Sequence, residues 1–114
     1  MYKVYTDGAC LGNPGPGGWA AIIVSEAGRE EIKGREEKAT NNRMEVMAAI
    51  RGLAQTPRGS EVRIESDSQY LVHTMTRKWK RKANLDLWEM LDNLVADRSV
   101  SWVWIRGHDG HPEN

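Results

Sequence analysis

Three acidic residues stand where a carboxylate does more than solvate a surface. Asp7 closes a short β-branched and aromatic run, Tyr2 to Asp7, just before Gly8. Asp67 follows a second strand-like run, Val62 to Ser66, and Glu45 falls in the first turn of a helical pattern beginning at Arg43. Side chains at strand ends of an α/β sheet project into a crevice where ligand groups collect. Three carboxylates gathered there would repel one another, and hard divalent cations such as Mg2+ relieve that repulsion while keeping water and substrate phosphate oxygens as further ligands. Metal-assisted phosphodiester chemistry is what such a set could perform. Each residue also has a plainer explanation. Asp7-Gly8 fits a turn, Glu45 lies three residues after Asn42 as in a capping box, and Asp67 could cap the helix that follows it.

The elements that must position these residues can be read from periodicity. After strand one, the stretch Gly12 to Gly18 reads as a rigid turn rather than helix or regular strand, because it is almost entirely Gly and Pro. Trp19 to Ser25 is an apolar second strand, Ala27-Gly28-Arg29 a turn, and Glu30 to Glu37 a polar third strand, so the opening is an antiparallel meander. Met44, Met47, Ala48 and Ile50 recur at helical spacing, with Asn42 available as N-cap and Pro57 and Gly59 ending helix one. Val62 to Ser66 forms strand four, and Ser68 to about Trp79 carries helix two. Asn84 is a suitable N-cap for helix three, whose Leu87, Trp88, Leu91, Leu94 and Val95 form one apolar stripe. Val100 to Ile105 is apolar on both faces apart from Ser101, which predicts an interior strand covered by helices. The order βββαβααβ predicts an α/β fold with a five-stranded mixed sheet, since helical crossovers return strands parallel and the opening meander does not.

Composition bounds the remaining choices. The 114 residues accommodate a single domain, expected over 1–114. Sixteen Lys and Arg balance sixteen Asp and Glu, which argues against an indiscriminately basic coat protein or an acidic tail. Affinity for nucleic acid must come from local clustering, and Arg77 to Lys82 supplies five cations and Trp79 within six residues. Cys10 is the single cysteine, so no internal disulfide forms and a reducing, cytoplasmic setting fits best. The longest apolar run, Trp19 to Val24, falls far short of the roughly 20 residues that span a membrane, and no membrane partner or targeting signal is expected.

Four blocks in order carry a family resemblance: Tyr5 to Gly18 (YTDGACLGNPGPGG), Thr40 to Glu45 (TNNRME), Ser66 to Tyr70 (SDSQY) and Gly107 to Asn114 (GHDGHPEN). Together they resemble type 1 ribonuclease H across essentially the whole chain. The resemblance implies an RNase H-like fold and an endonuclease that hydrolyses the RNA strand of RNA–DNA hybrids, leaving 5′-phosphate and 3′-hydroxyl ends. It implies that Asp7, Glu45 and Asp67 hold two Mg2+ ions, with Mn2+ possible, and that His108 moves a proton or assists product release. Asn13, Asn42 and Gln69 resemble polar residues that face the ribose 2′-hydroxyl, Thr40 part of a pocket for a DNA phosphate, and Lys78, Trp79 and Lys80 the duplex-binding protrusion.

The pattern departs from the family in two places. The basic segment looks shortened, so weaker hybrid affinity is expected. The family pattern also continues past Asn114 to a fourth carboxylate and a final helix; Asp109 is acidic but stands at a different spacing. A chain lacking both would be a monomer with weakened second-ion binding, or one that self-associates over uncovered apolar surface. The competing expectation is thus a hybrid-binding module with impaired or absent cleavage. A DNA nuclease or integrase-like enzyme on the same fold fits the Asn13, Asn42 and Gln69 set less well.

Overall fold

A computed structural model describes residues 1–12 and 14–106 as five strands and three helices in the order βββαβααβ. β1 (Tyr2–Cys10), β2 (Gly15–Ser25) and β3 (Gly28–Ala39) form the meander. α1 (Asn41–Ala54), β4 (Glu61–Ser66), α2 (Gln69–Thr76), α3 (Leu85–Ala96) and β5 (Ser99–Trp104) follow. The sheet order is β3-β2-β1-β4-β5; β2 is antiparallel to both β1 and β3, whereas β4 is parallel to both β1 and β5. The mixed sheet expected from the element order is present, with β1 at its centre.

Three strands are longer than their composition predicts, β3 running Gly28–Ala39 rather than Glu30 to Glu37. β1 continues through Cys10, and Gly15 to Gly18 belong to β2, where Cys10 pairs with Gly17 and Ala9 with Gly18. Ladder hydrogen bonds outweigh the poor strand propensity of glycine here. Pro16 is accommodated by a register shift between Gly15 and Gly17 opposite β3, and its carbonyl still accepts from the Leu11 N–H at 2.8 Å.

Two further expectations need correction. α2 ends at Thr76 rather than near Trp79, because Lys78 adopts a left-handed φ of 54° that takes the chain off the helical path. Arg77 to Lys82 is therefore an irregular segment. β5 is an outer strand rather than an interior one. Its Val100, Trp102 and Val103 are half-buried and Trp104 is exposed, so apolar character on both faces does not mark a central position here.

The core lies where α1 crosses the sheet. Val4, Ala21, Ile23, Val62 and Ile64 from the strands meet Val46, Ala49, Ile50 and Leu53 of α1, with Leu71, Leu87, Trp88 and Leu91 from the other helices. Gly52 allows the closest part of this contact. A Cβ there would stand 2.6 Å from Val4 Cγ1 and 3.1 Å from Ala21 Cβ, both fully buried. Gly52→Ala would gain about 0.5–1 kcal/mol of helix propensity but overpack a closed interface at about 1–3 kcal/mol. The expected outcome is a lower urea midpoint for Gly52→Ala; a higher midpoint would mean that α1 does not sit this close to β1.

Candidate active site

The position of Asp7 beside Glu45 depends on Gly8. A Cβ on Gly8 would lie 2.6 Å from both the Glu45 amide nitrogen and the Met44 carbonyl carbon, so the main chain of β1 touches that of α1 and only glycine permits it. Asp67 arrives by a different route. β4 runs parallel to β1 with Thr6 opposite Ser66, which brings the residues after both to the same end of the sheet. Asp7, Glu45 and Asp67, all half-buried, each offer a carboxylate oxygen within 4.8 Å of the others.

Capping does not account for these carboxylates. Thr40, not Asn42, is the N-cap of α1, its hydroxyl oxygen accepting from the Arg43 N–H at 3.1 Å. The capping-box position is then Arg43, and Glu45 lies beyond it. Ser68 rather than Asp67 caps α2, accepting from the Leu71 N–H at 3.0 Å, while Ser66 Oγ accepts from the Ser68 N–H at 3.0 Å. Asp7-Gly8 is likewise no turn, because both residues lie inside β1.

Glu45 carries the electrostatic consequence. Burial, then the charges of Asp67 and Asp7, push its carboxyl up to about 8, against partial relief from the Gly8 N–H. Its Oε1 is buried without a hydrogen-bond partner among the described residues. An acceptor of that kind, in an all-oxygen donor set, fits a hard divalent cation.

The expected substrate residues divide. Thr40, Asn42 and Lys80 line one cleft of about 390 Å³, together with Tyr70, Lys82, Ala83 and Asn84. Gln69 is exposed at the first turn of α2. Lys78 and Trp79 do not line this cleft, and Trp79 packs against His73 instead. Asn13 and His108, with Asp109 and His111, lie outside the described residues. Another cavity, of about 630 Å³, is bordered by Cys10, Leu11 and Pro16 and by none of the three carboxylates. The Cys10 thiol lies within hydrogen-bonding distance of the carbonyls of Gly15 and Ala39, at 3.2 and 3.0 Å.

Sequence reasoning missed the frame of the 390 Å³ cleft. Arg43 bonds Glu36 of β3 at 3.4 Å, Asp86 at 3.2 Å and the Asn84 side chain at 3.4 Å. Asn84 starts α3 as expected, but with a left-handed φ of 58° and no side-chain cap bond; its amide donates to the Tyr70 hydroxyl at 3.2 Å. That hydroxyl also accepts from Trp88 Nε1 at 3.2 Å. An Asn before an acidic first turn looks like a cap in sequence, and nothing local distinguishes this other use.

The RNase H family model matches residues 1–114. The Ribonuclease H of Nitrosococcus oceani is 45% identical over 127 aligned positions, covering 100% of this chain and 86% of that protein. The Ribonuclease HI of Pseudomonas syringae pv. tomato is 46% identical over 98% of this chain and 83% of its own length. Among solved structures, the N-terminal RNase H domain of a Mycobacterium tuberculosis protein superposes with a TM-score of 0.83 at 28% identity, covering 96% of this chain and 86% of that one. LC11-RNase H1 in complex with an RNA/DNA hybrid gives 0.80 at 26% identity, covering 94% and 86%. The chain belongs to the RNase H family.

The raised Glu45 carboxyl makes stability depend on pH in the cation-free protein. Its folded value of about 8 lies above the ordinary 4.5, so the native state keeps a proton that the unfolded chain has lost. That contribution is complete below about pH 4.5 and is lost as pH rises to about 8. Each pH unit of displacement is worth about 1.4 kcal/mol, and coupling to the neighbouring carboxylates shares it. Glu45→Gln should therefore be more stable than the parent at pH 9 without metal, by about 2 kcal/mol, and little different at pH 5. Urea melts at the two pH values check this; equal differences at both would sink it.

Proposed function

We propose that residues 1–114 form one catalytic domain that hydrolyses the RNA strand of RNA–DNA hybrids, with divalent cations held by Asp7, Glu45 and Asp67. The observation that carries this reading is the meeting of three carboxylates from β1, α1 and the β4–α2 corner within 4.8 Å. When bound, two such cations, Mg2+ or Mn2+, supply a water ionised near neutral pH and offset charge on the leaving oxygen. The protein's own part is placement. Asp7, Glu45 and Asp67 would hold the cations together, the buried Oε1 of Glu45 serving as a ligand once its proton has passed to solvent. In-line attack on phosphorus opposite the 3′ bridging oxygen leaves 5′-phosphate and 3′-hydroxyl ends. His108 has the role that the family resemblance gives it, carrying a proton.

The substrate reading rests on the cleft beside α1. Thr40 uses its hydroxyl oxygen to cap the helix, which leaves its proton for a phosphate oxygen, and Lys80 and Lys82 bring positive charge to the same cleft. Asn42 and Gln69 are exposed in the first turns of α1 and α2 and present both donors and acceptors, which suits a ribose 2′-hydroxyl. Asn13 belongs to the same polar set, and Lys78 and Trp79 extend the contact along the duplex. The enzyme would act as a cytoplasmic monomer; no helix of the described residues is long and apolar enough to cross a membrane.

A strand-labelled hybrid incubated with Mg2+ tests the proposal. Cleavage should be confined to the RNA strand, and Asp7→Asn should lower it about 1,000-fold, the equivalent of some 4 kcal/mol of lost transition-state stabilisation, while hybrid binding persists. Tight binding with no product at any metal concentration would leave only a binding module. Equal cutting of duplex DNA would overturn the substrate assignment.

A further inference from the structure

Three aromatic rings connect the basic segment to the acidic corner. Trp79, three residues beyond the end of α2, meets the His73 ring edge-on with centroids 5.0 Å apart, and His73 meets Trp104 at the end of β5 at 6.0 Å. The Trp104 indole Nε1–H then donates to the main-chain carbonyl of Asp67 at 3.1 Å. His73 is buried, and its Nδ1 makes no hydrogen bond among the described residues. Its ring, rather than a polar contact through that nitrogen, is what it offers Trp104.

Asp67 is the single residue between the last of β4 and the cap of α2, so the orientation of its peptide sets where its side chain leaves the corner. Next to the indole bond, the Ile105 N–H donates to the Ser66 carbonyl at 2.9 Å. That second bond is main-chain and survives any change of side chain at 104. We propose that Trp104 is a positioning residue for Asp67, its indole held by the His73 and Trp79 rings, so that the Asp67 carboxylate meets those of Asp7 and Glu45. The inference rests on the cation-binding role given to the three carboxylates under the proposed function.

Residues that orient metal ligands from behind typically contribute about 10–100-fold to metal affinity. Trp104→Phe keeps a six-membered aromatic ring in the stack and removes the N–H donor together with the rest of the five-membered ring. It should raise the Mg2+ concentration for half-maximal hybrid cleavage about tenfold, with the maximal rate and the metal-free melting temperature close to the parent. His73→Ala, which removes the wall behind the indole, should shift the metal requirement in the same direction, and His73→Phe should restore it. An unchanged metal requirement in Trp104→Phe would overturn the inference, as would an increase matched by loss of folded protein. Calorimetric titration of Mg2+ into the substrate-free protein makes the same comparison without catalysis. If the parent binds Mg2+ but cleaves nothing, the proposed activity fails while the indole's role is still decided by that titration; equal Mg2+ affinity in parent and Trp104→Phe rejects it.

Discussion

The contact of two backbones at Gly8 is the constraint from which the site follows. With no side chain to separate them, the central strand and the first turns of α1 come close enough that a Cβ would sit 2.6 Å from helix atoms. Asp7 and Glu45, neighbours of that contact on either side, are thereby brought together. The parallel pairing of β4 with β1 adds Asp67 from a third direction. Any substitution that thickens the Gly8 contact moves a whole helix, because α1 is also seated on Val4 and Ala21 through Gly52.

The arrangement is costly before it is useful. A half-buried carboxyl facing two others, with an oxygen lacking a partner among the described residues, opposes folding at neutral and alkaline pH. Rules of local consistency tend to be broken at functional sites, with compensation elsewhere. Here compensation comes from the apolar contact of α1 with the strands and from the tied corner around Ser66 and Ser68. Glu45 is placed by its helix and the Gly8 N–H, while its Oε1 has no partner among the described residues.

Much of this was legible in the sequence. The period change at Arg43, the apolar stripe of α3 and the β-branched runs gave the element order correctly, and the three acidic residues picked out in the sequence meet within 4.8 Å. What failed was local. Composition alone made Gly15 to Gly18 a turn, but cross-strand pairing with β1 drew them into β2. Asn42 outranks Thr40 as a cap on general preference, and the two-residue difference was decided by chain geometry after β3. β5 has an apolar pattern suited to a central strand yet lies at the margin, because position in a sheet is a property of topology and not of the strand. The Arg43 links to Glu36, Asp86 and Asn84 join residues up to 43 positions apart and have no sequence signature.

Arg43 has one more consequence. It ties β3, α1 and the start of α3 together through charged groups of which Asp86 is largely open to solvent. Dissolved electrolyte screens such pairs over distances of about 10 Å at 0.1 M, and it also competes with lysines for phosphate. Raising ionic strength would therefore act on this molecule twice, once on the proposed attraction between the cleft lysines and a nucleic-acid backbone and once on the brace at Asn84 beside them.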